Sequence, residues 1–321
     1  MRILVTGGAG FIGSHFIELL LARGAAEWIV CLDSFNNDYD PALKCANLAS
    51  SASDPRLVIV PGSLADRAMV SQLMTEHEIE YVMHLGAHAG VRASFDHPQR
   101  FHDTNVGGTQ ALLEAVAGRT IERFVFVSSS TVYGRGAEVP FREDAPLGEP
   151  LSPYGASKRE AERVVVSEGD VLGIPVVCVR PFSVYGPRTR QDLAISVFAR
   201  AIAAARPLPL LGDGSIRRDF THVSDLCAGL LAALTSPRAI GQAINLGHHE
   251  PVAIAQLIAL LETELGARAI IDRRPAFAGD MPITCADLTK ARNLLGYQPK
   301  ISLTEGVRDF VDWFRRTPLA H

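Results

Sequence analysis

A tyrosine and a lysine four positions apart have the types and the spacing needed for acid–base chemistry. In the segment 152–158 (SPYGASK), Ser152 suits a helix N-cap and Pro153 suits the first helical turn. Tyr154 and Lys158 are then expected on one face of the same helix. A nearby ammonium favours the phenolate, so Tyr154 is a candidate base at a pH below its usual pKa of about 10.

Hydroxyl side chains lie upstream, in the segment 127–134 (VSSSTVYG). They end a predicted strand over residues 123–128, which places Ser129, Ser130 and Thr131 at the edge of a sheet where ligands bind. A tyrosine–lysine pair alone is typical of an ordinary amphipathic helix, and a Ser/Thr-rich segment alone is typical of a turn. The two motifs gain meaning only together with a third.

The third motif is a glycine-rich turn over residues 6–13 (TGGAGFIG), between a predicted strand and a predicted helix. Gly7, Gly10 and Gly13 allow a tight turn and a close approach of a pyrophosphate, and Phe11 and Ile12 open a helix whose N–H groups favour phosphate. About twenty residues further on, Asp33 ends the next strand, where a carboxylate binds an adenosine ribose and repels a 2′-phosphate. This context favours NAD over NADP, and over the alternative of a structural turn without a ligand.

Short apolar runs alternate with helical patterns through the first half of the chain. Strands are predicted over residues 2–6, 28–33, 57–61, 81–85, 123–128, 175–180 and 242–246. Such a pattern predicts an α/β fold with a doubly wound parallel sheet of the Rossmann type. We expect a dinucleotide-binding domain over residues 1–180 and about 219–247, and a smaller α/β substrate-binding domain over 181–218 and 248–321. In the second domain, helices are expected over 253–265 and 288–295 and near the C-terminus.

Composition excludes several classes of partner. The formal net charge of −4 argues against a nucleic acid or an anionic membrane, both of which attract basic surfaces. No apolar run is long enough to span a bilayer. Five widely spaced cysteines without a C-x-x-C motif suit a reducing cytoplasm and predict neither disulfides nor a metal site.

Taken together, these motifs resemble those of the extended short-chain dehydrogenase/reductase superfamily, specifically its nucleotide-sugar epimerases. The resemblance covers nearly the whole chain and includes residues 6–13, 33, 84–87, 105–109, 129, 154, 158 and 218–220. It implies that Tyr154 is the base, that Lys158 holds the nicotinamide ribose and lowers the tyrosine pKa, and that Ser129 hydrogen-bonds the reacting oxygen. A sugar C4 is then oxidised and reduced again from the opposite face, with NAD retained, in a homodimer.

The resemblance also implies two sets of binding residues. The cofactor set is Gly7, Gly10, Phe11, Ile12, Gly13, Asp33, Asn37, Ser63, Leu64, Leu85, Ala87, Asn105, Tyr154, Lys158 and Pro181. The set for a UDP-sugar is Arg92, Ser129, Ser130, Thr131, Tyr154, Ser183, Arg190 and Arg218.

The nature of the sugar depends on a few positions. Related dehydratases and decarboxylases carry an acid before the Val-Tyr-Gly motif, where this chain has Thr131, which favours an epimerase. Residues 36–44, 89–94, 180–192 and 245–252 look most like UDP-glucuronate 4-epimerases. We expect Ser183 and Arg190 to grip the sugar carboxylate, with Arg92 nearby, because arginine matches a carboxylate with a planar fork. A fixed carboxylate would also resist decarboxylation of the 4-keto sugar.

Two positions depart from the family pattern. Ser63 stands where an aspartate usually contacts the adenine, and Phe277 stands where a second arginine usually binds the pyrophosphate. Arg218 is then expected to carry more of the phosphate load, with help from Arg273 or Arg274. Three rival functions stay open: a UDP-glucose/galactose epimerase, a UDP-glucuronate decarboxylase and a non-catalytic NAD-binding regulator.

Overall fold

The computed structural model describes residues 1–277 and 279–317 and is built around a seven-stranded parallel sheet. Its strands, in chain order, are β1 (Arg2–Thr6), β2 (Trp28–Asp33), β3 (Leu57–Pro61), β4 (Tyr81–His84), β5 (Arg123–Val127), β6 (Val176–Pro181) and, later in the chain, β10 (Ala243–Leu246). All seven predicted strands are confirmed to within one residue at either end. The spatial order β10-β6-β5-β4-β1-β2-β3 is that of a doubly wound sheet.

The helices that flank this sheet connect its strands. They are α1 (Phe11–Ala22), α2 (Pro41–Leu48), α3 (Arg67–Glu76), α4 (Val91–Asp96), α5 (Pro98–His102), α6 (Gly108–Val116), α7 (Pro153–Leu172) and α9 (Val223–Thr235). A π-helical turn, Asp103–Gly107, joins α5 to α6, and a 3₁₀ turn, Ser130–Tyr133, follows β5.

Alternating strand residues explain why both faces of the sheet are covered. Ile3 and Val5 of β1 pack into one apolar cluster, whereas Leu4 between them packs into another. All three side chains are fully buried. Successive side chains of a strand point to opposite faces, so a continuous apolar run serves two cores.

The remaining elements form two small sheets with their own helices. They are β7 (Ser183–Tyr185), α8 (Ala194–Ala203), β8 (Pro207–Leu211), β9 (Arg217–His222), β11 (Pro251–Ala253), α10 (Ile254–Leu265), β12 (Ile270–Arg274), α11 (Thr289–Leu295) and α12 (Leu303–Arg315). One sheet has the order β11-β9-β7 and the other pairs β12 with β8. A third apolar cluster, which includes Phe198, Leu257 and Phe310, holds this part together. The division into domains at residues 180, 219 and 247 stays a prediction.

The expected helices over 253–265 and 288–295 are confirmed within one residue, and the last helix ends at Arg315. Helices α8 and α9 were not predicted. In α9, buried residues occupy most positions and blur the helical period, whereas α8 buries Ile195, Phe198, Ala199 and Ile202 at helical spacing, a signal that could have predicted it. Within the described part of the chain, no helix has both the length and the apolar character needed to cross a bilayer.

Candidate active site

The glycine-rich turn joins β1 to α1. It lies where the strand order reverses, between the neighbouring strands β1 and β4. Gly7 has φ = +67°, and a Cβ there would lie 2.8 Å from the backbone nitrogen of Gly86. A Cβ on Gly13 would lie 2.7 Å from the Cα of Gly8. Both positions therefore exclude a side chain. Gly10, the N-cap residue, offers no side chain, so the first N–H groups of α1, from Phe11 and Ile12 onward, have no side-chain cap.

Asp33 ends β2 beside this turn and is almost fully buried. Its carboxylate accepts hydrogen bonds from the backbone N–H groups of Ala9 and Phe35, at 3.2 and 2.9 Å. The ammonium of Lys44 lies 3.0 Å from Asp33 Oδ1 and 3.0 Å from the side-chain oxygen of Asn36. The ion pair between Lys44 and Asp33 was not predicted from the sequence. The position of Lys44 on α2 does not reveal that its side chain points back toward the end of β2.

Replacing Lys44 with methionine is expected to destabilise the fold by about 3 kcal/mol, because it leaves the buried Asp33 charge without its partner. It is also expected to weaken NAD binding, since Asp33 would no longer be held in place. Urea unfolding and calorimetric titration with NAD measure the two effects. Lys300→Met, which removes an exposed ammonium, is the control; equal changes in both variants would contradict the assignment.

Most other residues of the predicted cofactor set follow the carboxyl ends of strands, along one edge of the sheet. Ser63 and Leu64 follow β3, Leu85 and Ala87 follow β4, and Pro181 ends β6. Asn37 lies in the loop after β2 and is exposed.

Asn105 reaches the same edge from the π-helical turn. Its amide donates to the backbone oxygen of His88 and to the Ser157 hydroxyl, at 3.0 and 2.9 Å, and its oxygen accepts from the backbone N–H of His88 at 2.8 Å. Asn105 thus ties the loop after β4 to α7, the helix of Tyr154. Turns of this kind are common at functional sites.

Helix α7 begins as the sequence indicates. The Ser152 hydroxyl accepts a hydrogen bond from the N–H of Gly155 at 3.1 Å, and Pro153 occupies the first helical position. Tyr154 and Lys158 therefore lie one turn apart on this helix. The Lys158 ammonium is buried and donates to the backbone oxygen of Val127, at the end of β5, at 2.8 Å.

The three hydroxyl residues after β5 lie half-buried beside α7. Ser129 caps the 3₁₀ turn, where its hydroxyl accepts from the N–H and the hydroxyl of Thr131, at 3.2 and 3.0 Å. Ser130 begins the same turn. At the position where related enzymes carry an acid, the structure thus has a neutral hydroxyl engaged with Ser129.

The electrostatics of Tyr154 differ in part from expectation. Burial raises the pKa of its phenol, while the Ser129 hydroxyl and the positive charge of Arg190 lower it. The expectation was that Lys158 supplies the lowering charge. In the protein without a ligand, the cation that lowers the Tyr154 pKa is Arg190 instead. Burial lowers the pKa of Lys158 to about 8, so this ammonium is itself close to losing its proton at neutral to mildly basic pH.

Arg190 is oriented by its neighbours. Its Nε and Nη2 bind Asp192 at 2.9 and 2.6 Å, and Nη2 also donates to the backbone oxygen of Ala89 at 2.9 Å. Among the described residues its Nη1 makes no hydrogen bond, which leaves this nitrogen to donate to a ligand. Ser183 begins β7 and is half-buried, whereas Arg92 on α4 is exposed.

Arg218 lies on β9, which follows α7 by more than 40 residues in the sequence. It forms an ion pair with Asp280 at 2.5 Å and donates to the backbone oxygen of Met281 at 2.7 Å. Phe277 packs edge-to-face against Phe95 of α4, with ring centres 5.6 Å apart, and the two line a cavity of about 290 Å³. An apolar contact thus occupies the place of the second arginine.

The two arginines considered as substitutes have other partners. Arg274 forms an ion pair with Asp272 at 2.9 Å, and Arg273 is exposed with its charge near Asp213. Arg274 therefore does not share the Asp280 partner of Arg218, and a phosphate role for Arg273 or Arg274 stays a prediction.

The histidines near the site are held by protein groups. His84 contacts the hydroxyls of Thr6 and Thr109 at 2.7 and 2.9 Å, and His88 contacts Asp38 at 2.5 Å. Between residues 1 and 317, leaving aside position 278, no group of three or more His, Cys, Asp or Glu side chains has the arrangement of a metal site.

A doubly wound sheet, a glycine-rich turn followed by an acidic strand end, and a tyrosine and a lysine on one helix define an extended short-chain dehydrogenase/reductase. Comparison with known proteins identifies a family within this class. The chain belongs to the GDP-mannose 4,6 dehydratase family, whose model matches residues 4–310.

Relatives and solved structures within this class carry more specific names. A UDP-glucuronate 4-epimerase of Thermodesulfobacterium geofontis is 36% identical over 97% of this chain and 95% of its own. UDP-glucuronate 4-epimerase 1 of Arabidopsis thaliana is 35% identical over 98% of this chain and 76% of its own. The crystal structure of a UDP-glucuronic acid 4-epimerase from Bacillus cereus, in complex with UDP-glucuronic acid and NAD, superposes with a TM-score of 0.94 at 35% identity, covering 98% of this chain and 99% of that one.

Proposed function

We propose that this chain is an NAD-dependent isomerase that inverts C4 of UDP-glucuronate to give UDP-galacturonate. The observation that carries the proposal is the arrangement of Arg190, whose guanidinium is oriented by Asp192 and the backbone oxygen of Ala89 with one nitrogen left to bind a carboxylate. Its charge also lowers the pKa of the Tyr154 phenol. A carboxylate-binding group therefore stands beside the proposed base. The similarity to UDP-glucuronate 4-epimerases over nearly the full chain supports the same substrate.

The residues at the sheet edge fit NAD. The turn at Gly7 and Gly13 has no room for side chains, the first N–H groups of α1 suit a pyrophosphate, and the Asp33 carboxylate suits a ribose without a 2′-phosphate. When bound, NAD supplies a reversible acceptor for the hydrogen on the sugar C4. Lys158 and Asn105 lie at the same edge and would hold the nicotinamide end.

The side chains around Tyr154 perform the proton transfers. The ionised Tyr154 removes the proton from the sugar O4 as C4 is oxidised, and returns it when C4 is reduced on its opposite face. Ser129 donates a hydrogen bond to the same oxygen, and the positive charge of Arg190 favours the phenolate. The Lys158 ammonium is expected to add to this effect when bound ligands exclude water from the site. Between the two steps the 4-keto sugar must turn while its nucleotide stays bound.

The 4-keto glucuronate is a β-keto acid and loses CO₂ when its carboxylate bond aligns with the ketone. Hydrogen bonds from Arg190 and Ser183 to the carboxylate would hold the bond between the sugar ring and the carboxylate out of this alignment. Thr131, which stands where decarboxylases carry an acid, offers no group for acid–base chemistry after oxidation. Epimerisation is therefore favoured over decarboxylation.

Incubation of the purified protein with UDP-glucuronate, followed by chromatography of the sugar nucleotides, tests the proposal. UDP-galacturonate as the product supports it. A UDP-pentose would assign a decarboxylase, and conversion of UDP-glucose but not UDP-glucuronate would assign a hexose epimerase. No conversion of either sugar, with NAD bound, would favour a non-catalytic regulator.

The remaining expectations are part of the same proposal. A homodimer through α7 and a neighbouring helix agrees with the exposure of Val166 and Val171 on α7. The five cysteines form no disulfide in the described structure, and four of them are buried, as suits a protein of the cytoplasm.

A further inference from the structure

A buried ion pair lies directly behind Lys158. Glu162 follows it by one turn of α7 and faces the same side of the helix. The two oxygens of Glu162 accept hydrogen bonds from Nε and Nη2 of Arg180 on β6, at 2.9 and 2.8 Å. All three side chains belong to residues no more than 7% exposed, so water screens their charges weakly.

Arg180 is in turn held by buried neighbours. Its guanidinium lies 4.9 Å above the ring of Tyr133, whose hydroxyl donates to the side-chain oxygen of Asn245 on β10 at 2.7 Å. The Glu162 carboxylate is thus fixed by Arg180, which is itself held by Tyr133, and solvent has little part in its position. Bidentate arginine–carboxylate pairs are among the most strictly oriented contacts in proteins.

The surroundings of Lys158 give this carboxylate a specific effect. The ammonium lies between the backbone oxygen of Val127 and the ring of Phe126, 4.9 Å from its centre. Burial lowers the pKa of Lys158, and the negative charge of Glu162 opposes this change. Neutral amine would otherwise be favoured in this apolar site.

Of the other titratable groups near the pair, Glu143 is acidic and its carboxyl interacts with Arg180; the rest are uncharged or positive. Burial lowers the pKa of His84 on β4 to about 3 and raises that of the Cys178 thiol on β6. Tyr154, on the same helix, is protonated at rest because burial raises its pKa. Arg159 carries a positive charge near Arg180. Among the described residues, Glu162 therefore supplies the negative charge that acts on the Lys158 ammonium.

We propose that Glu162 is a positioning residue for Lys158: its carboxylate, anchored by Arg180, provides a fixed negative charge one helical turn behind the ammonium. The inference rests on the proposed function, in which Lys158 acts as a cation beside Tyr154. Arg180 balances the same carboxylate and limits its effect on the lysine. The pair therefore sets the pH above which Lys158 loses its positive charge.

The small number of lysines makes a direct test possible. The chain contains four, Lys44, Lys158, Lys290 and Lys300, so a protein labelled with [ε-¹³C]lysine gives four side-chain resonances, and Lys158→Arg identifies one of them. The titration midpoint of Lys158 is expected near pH 8. In Glu162→Gln we expect it to fall by about one pH unit, with a parallel shift of the alkaline limb of kcat/KM.

Two comparisons separate charge from packing. Glu160→Gln removes an exposed carboxylate of the same helix, paired with His102 at 3.4 Å, and should leave the midpoint unchanged. Arg180→Gln frees the Glu162 charge and should move the midpoint upward, opposite to Glu162→Gln. If Glu162→Gln does not fold, the double variant Glu162→Leu/Arg180→Met replaces the pair by apolar groups, and its midpoint should still lie below that of the unmodified protein.

A wild-type midpoint in the folded Glu162→Gln protein would overturn the proposal, as would shifts of the same sign in both single variants. The titration needs no sugar. A protein that leaves UDP-glucuronate unchanged, yet shows the expected midpoints, would therefore contradict the proposed function and leave the role of Glu162 intact.

Discussion

The Tyr154→Phe variant is expected to lose about three orders of magnitude in kcat for UDP-glucuronate, the range in which general acid–base catalysis contributes. Phenylalanine keeps the ring and its edge-to-face contact with Phe101, at 6.1 Å between centres, but offers no oxygen for the O4 proton. Binding of NAD and of UDP-glucuronate should change little, since neither depends mainly on the phenol. Single-turnover kinetics and calorimetric titration measure the two quantities separately.

Tyr81→Phe is the matched control. It removes a phenol oxygen from the first residue of β4, at the opposite edge of the sheet from the site, and should retain full turnover. If Tyr154→Phe turned over at the wild-type rate, another group would have to be the base. If it lost NAD as well, the effect would be structural and the assignment of Tyr154 would fail.

Replacing Arg190 with alanine is expected to reduce kcat/KM for UDP-glucuronate by about 100-fold or more, because a charge-assisted bond to the sugar carboxylate is lost. UDP-glucose has no carboxylate, so its binding should fall far less. The loss of the positive charge also leaves the Tyr154 pKa higher, which should move the acidic limb of the pH profile upward. Parallel kinetics with both sugars across pH measure these effects.

The same variant tests the restraint on decarboxylation. A carboxylate that is no longer gripped can align with the 4-ketone, so the share of UDP-pentose among the products should rise. Arg268→Ala, which removes an exposed guanidinium from the segment between α10 and β12, is the control. Equal losses for the acid and the neutral sugar would refute a carboxylate role for Arg190.

The parts of the fold that sequence predicts well are those set by local patterns. Buried parallel strands such as β1 and β5 are apolar along their central positions. A glycine-rich turn directly after such a strand is typical of the start of a helix. The N-cap at Ser152 placed Tyr154 and Lys158 in the correct helical register. Local chemistry is sufficient for these features because the residues that determine them are neighbours in the chain.

The contacts that sequence reasoning missed join residues far apart in the chain. Lys44 reaches Asp33 across the loop after β2, and Arg190 acts on Tyr154 from 36 positions further along. Helix α9 is buried on several sides because it packs against α1 as well as β5 and β6. Tertiary packing decides such features, and no pattern within a short window encodes them.

The placement of the residues around the site has a consequence for how such enzymes diversify. Tyr154 (the proposed base), Lys158 and Glu162 share one helix, whereas Arg190 belongs to an irregular stretch between β7 and α8. The residues proposed for proton transfer thus lie on a helix, whereas the residue proposed to bind the sugar carboxylate lies in a loop. Loops tolerate sequence changes better than helices. Changes confined to residues 186–193 of that connection are therefore expected to alter which sugar is bound, while the helix that carries the proposed chemistry stays the same.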